Sequence, residues 1–265
     1  MQRKAYVSGV AALLAALLAG CTGGSSDGGA TDNSNPGTAD TASAAAEPGK
    51  YASLPEPCGA VGERTLDSLL PGIKELAHEE QQEKAYAGEA TPTFDTDRKV
   101  GCRWKVESAD ATNHLLVDFE RVVSYDNAVS DDAEAEVLFA KKETAADLPE
   151  PIPSGSAGSG TATPSATATG TSSPSSSASS GATPTELQPR TLDDLGDEAY
   201  LDDELSSSGS TAKQRTVTVA FRTSNVIVTI RYEEQPATVG GVPDTKEMQD
   251  RARKLASQLA DTLAG

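Results

Sequence analysis

Residues 215–234 read RTVTVAFRTSNVIVTIRYEE, and the alternation within them decides the fold. Val217, Val219 and Phe221 alternate with Thr216, Thr218 and Arg222. Val226, Val228, Ile230 and Tyr232 alternate with Ile227, Thr229 and Arg231. A period of two built from β-branched and aromatic residues marks strands with one face buried. Thr223-Ser224-Asn225 between the two runs predicts the turn of an antiparallel hairpin.

The chain that follows predicts a helix. Asp244 is a good N-cap after Pro243, and Glu247 stands three positions on, as in a capping box. Met248, Ala252, Leu255, Leu259 and Leu263 then share one helical face. A hairpin with a single helix is marginal by itself, so the remaining sheet must come from elsewhere. Upstream, Gly101–Glu107 reads as a strand carrying Cys102 and Trp104. Asn113–Ser124 reads as a stronger one, with Leu115, Val117 and Phe119 on one face and His114, Asp118 and Glu120 on the other. Helices are expected over Thr65–Leu70, stopped by Pro71-Gly72, and over Asn127–Ala146, with Val129, Ala133, Val137 and Ala140 as the buried stripe. Lys74–Ala87 is polar throughout and reads as a helix or a mobile segment. Glu198–Asp202 is a short strand. The order predicts an α+β fold, an antiparallel sheet with packed helices.

Between the two halves, residues 151–185 consist of Ser, Thr, Ala, Gly and Pro apart from Ile152. Such a segment cannot build a core and is expected to be disordered, or an extended stalk if sugars decorate it. Residues 51–265 therefore read as a single domain with a disordered insertion at 151–185, since closure entropy grows only logarithmically with loop length.

The first twenty residues have the three parts of an export signal: Arg3 and Lys4, the apolar run Val10–Ala19, and Leu18-Ala19-Gly20-Cys21. The last stretch resembles the lipobox of bacterial lipoproteins, which implies lipidation of Cys21 followed by removal of residues 1–20. Thr22–Lys50 holds no Val, Ile, Leu, Met, Phe, Tyr or Trp, so residues 21–50 read as a lipidated cysteine with a flexible tether. Its 29 residues span roughly 30 Å as a flexible chain. The expected location is the extracellular face of a cell membrane, held by the anchor.

Losing Arg3 and Lys4 with the signal moves the net charge from −18 to −20. That excess of acid argues against nucleic acid and against a polybasic membrane patch. With Cys21 assigned to the anchor, Cys58 and Cys102 are left as an even pair, expected to be oxidised outside the cytoplasm. The disulfide closes a loop of about 45 residues, worth about 4 kcal/mol on the chain-entropy account. A metal site is the alternative, but two cysteines with the distant His78 and His114 are a poor ligand set. Trp104, two residues from Cys102, is expected to pack beside the disulfide.

In sequence, Leu54-Pro55-Glu56-Pro57-Cys58, Thr65-Leu66-x-x-Leu69-Leu70-Pro71, Cys102-Arg103-Trp104 and Leu195-Gly196-Asp197-Glu198-Ala199 follow the lipobox in order. This pattern resembles an actinobacterial surface lipoprotein family whose domain is catalogued as domain of unknown function 3558. The resemblance implies a single α+β domain, supports the Cys58–Cys102 pair, and brings no catalytic residues. The insertion at 151–185 departs from the family pattern.

No nucleophile elbow, phosphate loop, His-Glu-x-x-His or dinucleotide fingerprint occurs in the chain. Asp95-x-Asp97 starts like a calcium loop but Lys99 takes the next ligand place. Hence no catalytic residue, metal or cofactor is assigned. Asp131, Asp132, Glu134 and Glu136 suit the first turns of a helix. Asp202, Asp203 and Glu204, expected to end a strand and enter a loop, are the candidate surface for a basic partner. The function expected is a non-catalytic binding or interaction module of the cell envelope, its partner a protein, peptide or amphiphile. The alternative is an envelope-acting enzyme with dispersed catalytic residues.

Overall fold

The structure, a computed structural model, describes residues 46–149, 187–208 and 212–265. The expected signal peptide, Cys21, most of the tether and the insertion at 151–185 lie outside these residues. Among them, seven strands form one antiparallel sheet in the order β1-β2-β3-β7-β6-β5-β4. They are β1 (Glu89–Ala90), β2 (Lys99–Glu107), β3 (Ala111–Arg121), β4 (Arg190–Leu192), β5 (Glu198–Ser208), β6 (Ala212–Thr223) and β7 (Val226–Pro236). Four α-helices accompany them: α1 (Glu63–Leu69), α2 (Glu79–Ala87), α3 (Asp131–Ala145) and α4 (Thr245–Ala264), with a 3-10 segment at Pro71–Glu75. The α+β fold is as the alternation predicts. None of these helices is long and apolar enough to cross a membrane.

At the centre, β3 and β7 pair over their full lengths, from Ala111 opposite Pro236 to Arg121 opposite Val226. This ladder joins strands from the two sides of residues 150–186 into one sheet. Its first face is apolar in successive rows: Phe119, Val228, Phe221 and Ala199; then Val117, Ile230, Val219 and Leu201; then Trp104, Leu115, Tyr232 and Val217. All are buried, together with Leu66, Leu69, Leu70 and Ile73 from the α1 region and Met248, Ala252, Leu255 and Leu259 from α4. The buried stripe of α4 is the one its sequence spacing predicts. Asp244 caps the helix, its Oδ1 accepting the Glu247 amide at 2.7 Å. The side chain of Glu247 pairs with Arg251 instead of reaching back.

Cys58 and Cys102 are disulfide-bonded, with Cα atoms 5.1 Å apart. Trp104 packs in the same cluster, and its indole donates to the Tyr86 carbonyl at 3.0 Å. Tyr86 in turn donates to Asp67 at 2.6 Å, which explains how the polar α2, with no buried residue, is held as a helix. That bond pushes the Tyr86 phenol up to about 12 and holds the Asp67 carboxyl low.

The second face carries α3, and here the expected stripe is overturned. Val137 is 49 % exposed, and Ala133 and Ala140 are exposed as well. Ala135 and Phe139 are buried instead, with Val122, Tyr200, Ala220 and Ile227. A helix turns toward the core the face that removes most apolar area from water, and a phenyl ring outweighs a valine. Phe139 meets the Tyr200 ring at 5.7 Å between centroids, and Lys142 pairs with Glu120 of β3 at 3.1 Å. Helix α3 also starts later than expected, capped by Ser130, whose Oγ accepts the Ala133 amide at 3.1 Å.

The hairpin turn is tighter than the three residues expected. Thr223 and Val226 are already paired, leaving Ser224 and Asn225 to reverse the chain, with Ser224 at φ 50°. Asn225 is fully buried and spans three chain segments. It accepts the Tyr51 amide at 2.9 Å and donates to the carbonyls of Tyr51 at 3.0 Å and Val122 at 3.2 Å. Around it, Gly49 donates to Asp131 at 3.0 Å, Ala46 to the Asn127 carbonyl at 2.8 Å, and the Tyr51 hydroxyl to the Leu263 carbonyl at 3.0 Å. Ala46–Lys50, read from sequence as the end of the tether, is thus hydrogen-bonded to the domain. A Cβ on Gly49 would stand 2.2 Å from the Asn225 side chain, so glycine is needed there.

Two outcomes follow from this packing. Phe139→Ala lowers unfolding free energy by about 3–5 kcal/mol in denaturant titration, whereas Val137→Ala stays within about 0.5 kcal/mol; equal effects would refute the assigned α3 face. Reduction of Cys58–Cys102 lowers stability by up to about 4 kcal/mol and adds two hydrogens to the intact mass, a shift that free thiols in the unreduced protein would abolish.

Candidate functional site

Strand β5 is longer than its sequence suggests. It continues past Asp202 to Ser208 because β6 pairs with it throughout, from Glu198 opposite Arg222 to Ser208 opposite Ala212. The expectation that Asp202, Asp203 and Glu204 leave a strand for a loop is therefore corrected: all three lie inside β5. Strand alternation then separates them.

Asp203 points to the first face, beneath α4. Its side chain is 2 % exposed and forms an ion pair with Arg215 of β6, itself 12 % exposed. Gln249 of α4 donates to the Asp203 carboxylate at 2.7 Å and to the Leu187 carbonyl at 2.8 Å, while Arg190 of β4 donates to Gln249 at 3.1 Å. Asp203 thus fastens β5, β6, β4 and α4. A buried charge requires such partners, so Asp203 is occupied within the fold and is no part of a basic-partner surface. The same end of this face carries Asn113, which donates to the Tyr232 hydroxyl at 3.3 Å and to Glu234 at 3.2 Å. Burial pushes the Tyr232 phenol up, and the Glu234 carboxylate adds to the shift. Among the described residues, the Arg215 Nε is buried and finds no hydrogen-bond partner.

Asp202 and Glu204 point to the second face, opposite Thr218 and Thr216. They belong to rows beyond the Tyr200–Ala220 row on which α3 packs. One row runs Arg103, Leu116, Arg231, Thr218, Asp202; the next runs Lys105, His114, Glu233, Thr216, Glu204. None of these residues is fully buried. The cations here are already paired: Arg103 with Glu89 at 2.8 Å, Lys105 with Glu107 at 2.6 Å and Arg231 with Glu233 at 2.6 Å. Neither Asp202 nor Glu204 forms an ion pair among the described residues. Burial pushes the Asp202 carboxyl above the usual carboxylate range, and the charges of Glu204 and Asp203 add to it.

Asp118, one row closer to α3, was not singled out by sequence reasoning. It is half-buried, its carboxyl raised by that burial, and lies between Gly101 and Thr229. A Cβ on Gly101 would fall 1.9 Å from its Oδ1, so Gly101 leaves the room Asp118 occupies. The sequence signal was present in its place on the polar face of β3.

His114 sits half-exposed among Lys105 and Glu233, and His78 precedes α2. Asp95 accepts the Asp97 amide at 3.0 Å and closes a local turn. Asp131 and Asp132 do more than face the α3 dipole. Asp131 accepts the Gly49 and Ser124 amides, and Asp132 accepts the Ser224 hydroxyl at 2.7 Å.

Against known proteins, the chain matches no family model and no curated sequence.

The raised Asp202 carboxyl has a consequence for stability. Because the fold favours its protonated form, its contribution is most favourable below the ordinary carboxylate value and is lost as pH rises through the shifted one. Asp202→Asn therefore raises the unfolding free energy at pH 7, by less than about 1 kcal/mol since solvent screens the site, and leaves it unchanged near pH 3. A loss of stability at pH 7 would refute this account.

Proposed function

We propose that this protein is a lipoprotein anchored through Cys21 to the extracellular face of the membrane, serving as a non-catalytic binding module of the cell envelope. The lipobox-like Leu18-Ala19-Gly20-Cys21 supports the anchor, and the resemblance to the family 3558 lipoproteins agrees with it. Two acyl chains on one cysteine suffice for stable attachment.

The observation that carries the binding role is the acid pair Asp202 and Glu204 on the open part of the second face, without an ion-pair partner among the described residues, while Arg103, Lys105 and Arg231 of the same rows pair with other acids. Uncompensated, partly desolvated charge is unfavourable for a free domain and is relieved when a partner brings the opposite sign. Direction supports the same reading. The chain from the anchor joins the domain at Ala46–Tyr51, beside the β6–β7 turn. Strand β5 begins at that end, where Glu198 pairs with Arg222 at 2.7 Å, and runs toward the opposite one. Asp202 and Glu204 thus lie along a strand leading away from the point of attachment.

Two measurements test the proposal. Mass spectrometry of the protein purified from membranes should find diacylglycerol on Cys21 at the new N-terminus; an unmodified Cys21 thiol would sink the anchor. Mild crosslinking of cells, followed by purification of the anchored protein and mass spectrometry of bound proteins and lipids, should recover a reproducible partner, and recovery of none would sink the binding role.

A further inference from the structure

Of the ten aromatic side chains among the described residues, eight are buried or half-buried. The two exposed ones stand on neighbouring loops: Phe94, fully exposed, between β1 and β2, and Tyr125, 88 % exposed, between β3 and α3. Backbone bonds brace both loops. The Asp95 carbonyl accepts the Lys99 amide at 2.9 Å, and the Arg98 carbonyl accepts the Arg121 amide at 2.7 Å. Arg98 crosses from one loop to the other. Its guanidinium lies 5.1 Å from the Tyr125 ring centroid, donates to the Tyr125 hydroxyl, and donates to the Val123 carbonyl at 3.1 Å. Single exposed apolar side chains are ordinary on a protein surface. Two rings on one braced platform are a feature that packing within the domain does not use.

The register fixes which end of the sheet this is. Lys99 faces Glu120, and Arg121 faces Val226 beside the β6–β7 turn. The chain leading from Cys21 reaches the domain at the same end. The Ala46 amide donates to the Asn127 carbonyl at 2.8 Å, two residues beyond Tyr125, and the Lys50 amide donates to the Ser224 hydroxyl at 3.3 Å. Twenty-four residues lie between Cys21 and Ala46, a length that spans at most roughly 90 Å. Phe94 and Tyr125 are thereby kept close to any surface that holds Cys21, at a high effective concentration.

We propose that Phe94 and Tyr125 form a lipid-contacting tip that seats this end of the domain on the outer surface of the phospholipid bilayer. The inference rests on the anchoring of Cys21 and adds an orientation to it. Aromatic rings are favoured at the boundary between headgroups and acyl chains, and tyrosine keeps its hydroxyl at the wet side. Charge does not drive the contact. Arg98, Lys99 and Arg121 are offset by Asp95, Asp97 and Asp126 in and beside the two loops, so an anionic lipid fraction does not strengthen it. Two rings alone bind weakly, and the anchor supplies the local concentration that makes a weak contact persist. With this end on the bilayer, β5 carries Asp202 and Glu204 away from it.

The test couples the mature chain to a maleimide lipid in phosphatidylcholine vesicles through the Cys21 thiol, since Cys58 and Cys102 are bonded to each other. Phe94→Trp reports on the tip. Val239→Trp reports on an exposed position beyond the far end of β7, and the buried Trp104 gives a constant background. On vesicles with brominated acyl chains, the Phe94→Trp emission is quenched and shifted to the blue, and the Val239→Trp emission is not. Adding Tyr125→Ser to Phe94→Trp lessens the quenching. No quenching of Phe94→Trp, or equal quenching at both ends, overturns the tip and leaves the anchor standing. An unmodified Cys21 in cells removes the anchor and leaves the vesicle result untouched. A photo-crosslinking residue placed at position 94 in cells labels lipid; an adduct with a second copy or with another protein assigns the rings to that partner and overturns the lipid contact.

Discussion

The pairing of β3 with β7 is the constraint on which the rest of the structure depends. Eleven consecutive residue pairs bring together segments separated by more than a hundred positions, and the register aligns their apolar residues row by row. A slip of one residue would turn Leu115, Val117 and Phe119 out of the core formed with Tyr232, Ile230 and Val228. The register is sealed at one end by Asn225, buried where Tyr51, Val122 and the β6–β7 turn meet. Its amide saturates backbone groups that would otherwise be buried unpaired, which is the more costly alternative. The two helical layers then follow from what this sheet exposes: a wide apolar face for α1 and α4, and a narrow apolar patch for α3.

Charge is handled by opposite means on the two faces. Beneath α4, Asp203 is buried and therefore tied to Arg215 and Gln249, linking strands and helix through one carboxylate. On the other face, Asp202 and Glu204 remain partly solvated and, among the described residues, without a cation. Adjacent residues of one acidic triplet thus have different work because successive side chains in a strand point to opposite sides. The proposed binding role belongs to the second pair alone.

Much of this was legible beforehand where local periodicity is strong. The β6–β7 faces, the α4 stripe with its Asp244 cap and the polar face of β3 follow from spacing in the chain, since burial of one face imposes a period on neighbouring residues. Helix α3 was not legible in the same way. Its sequence offers two modest stripes, and the choice fell to Phe139 because Tyr200, Ala220 and Ile227 form a pocket that only the assembled sheet contains. The length of β5 was hidden for a similar reason: Asp202, Asp203 and Glu204 have poor strand propensity, and β6 imposes the extended conformation on them.

By itself, then, the sequence determined the α+β class, the strand faces, the capped C-terminal helix and the two cysteines available to pair, all set by contacts within a few residues or by simple exclusion. Tertiary structure alone decided which strands are neighbours, which side of α3 is covered, how Ala46–Tyr51 is fastened, and that the acidic triplet divides into one structural and two unpaired carboxylates. These depend on groups distant in the chain, whose meeting no local pattern encodes. An acidic residue becomes a buried tie or an open site according to what the fold places opposite it.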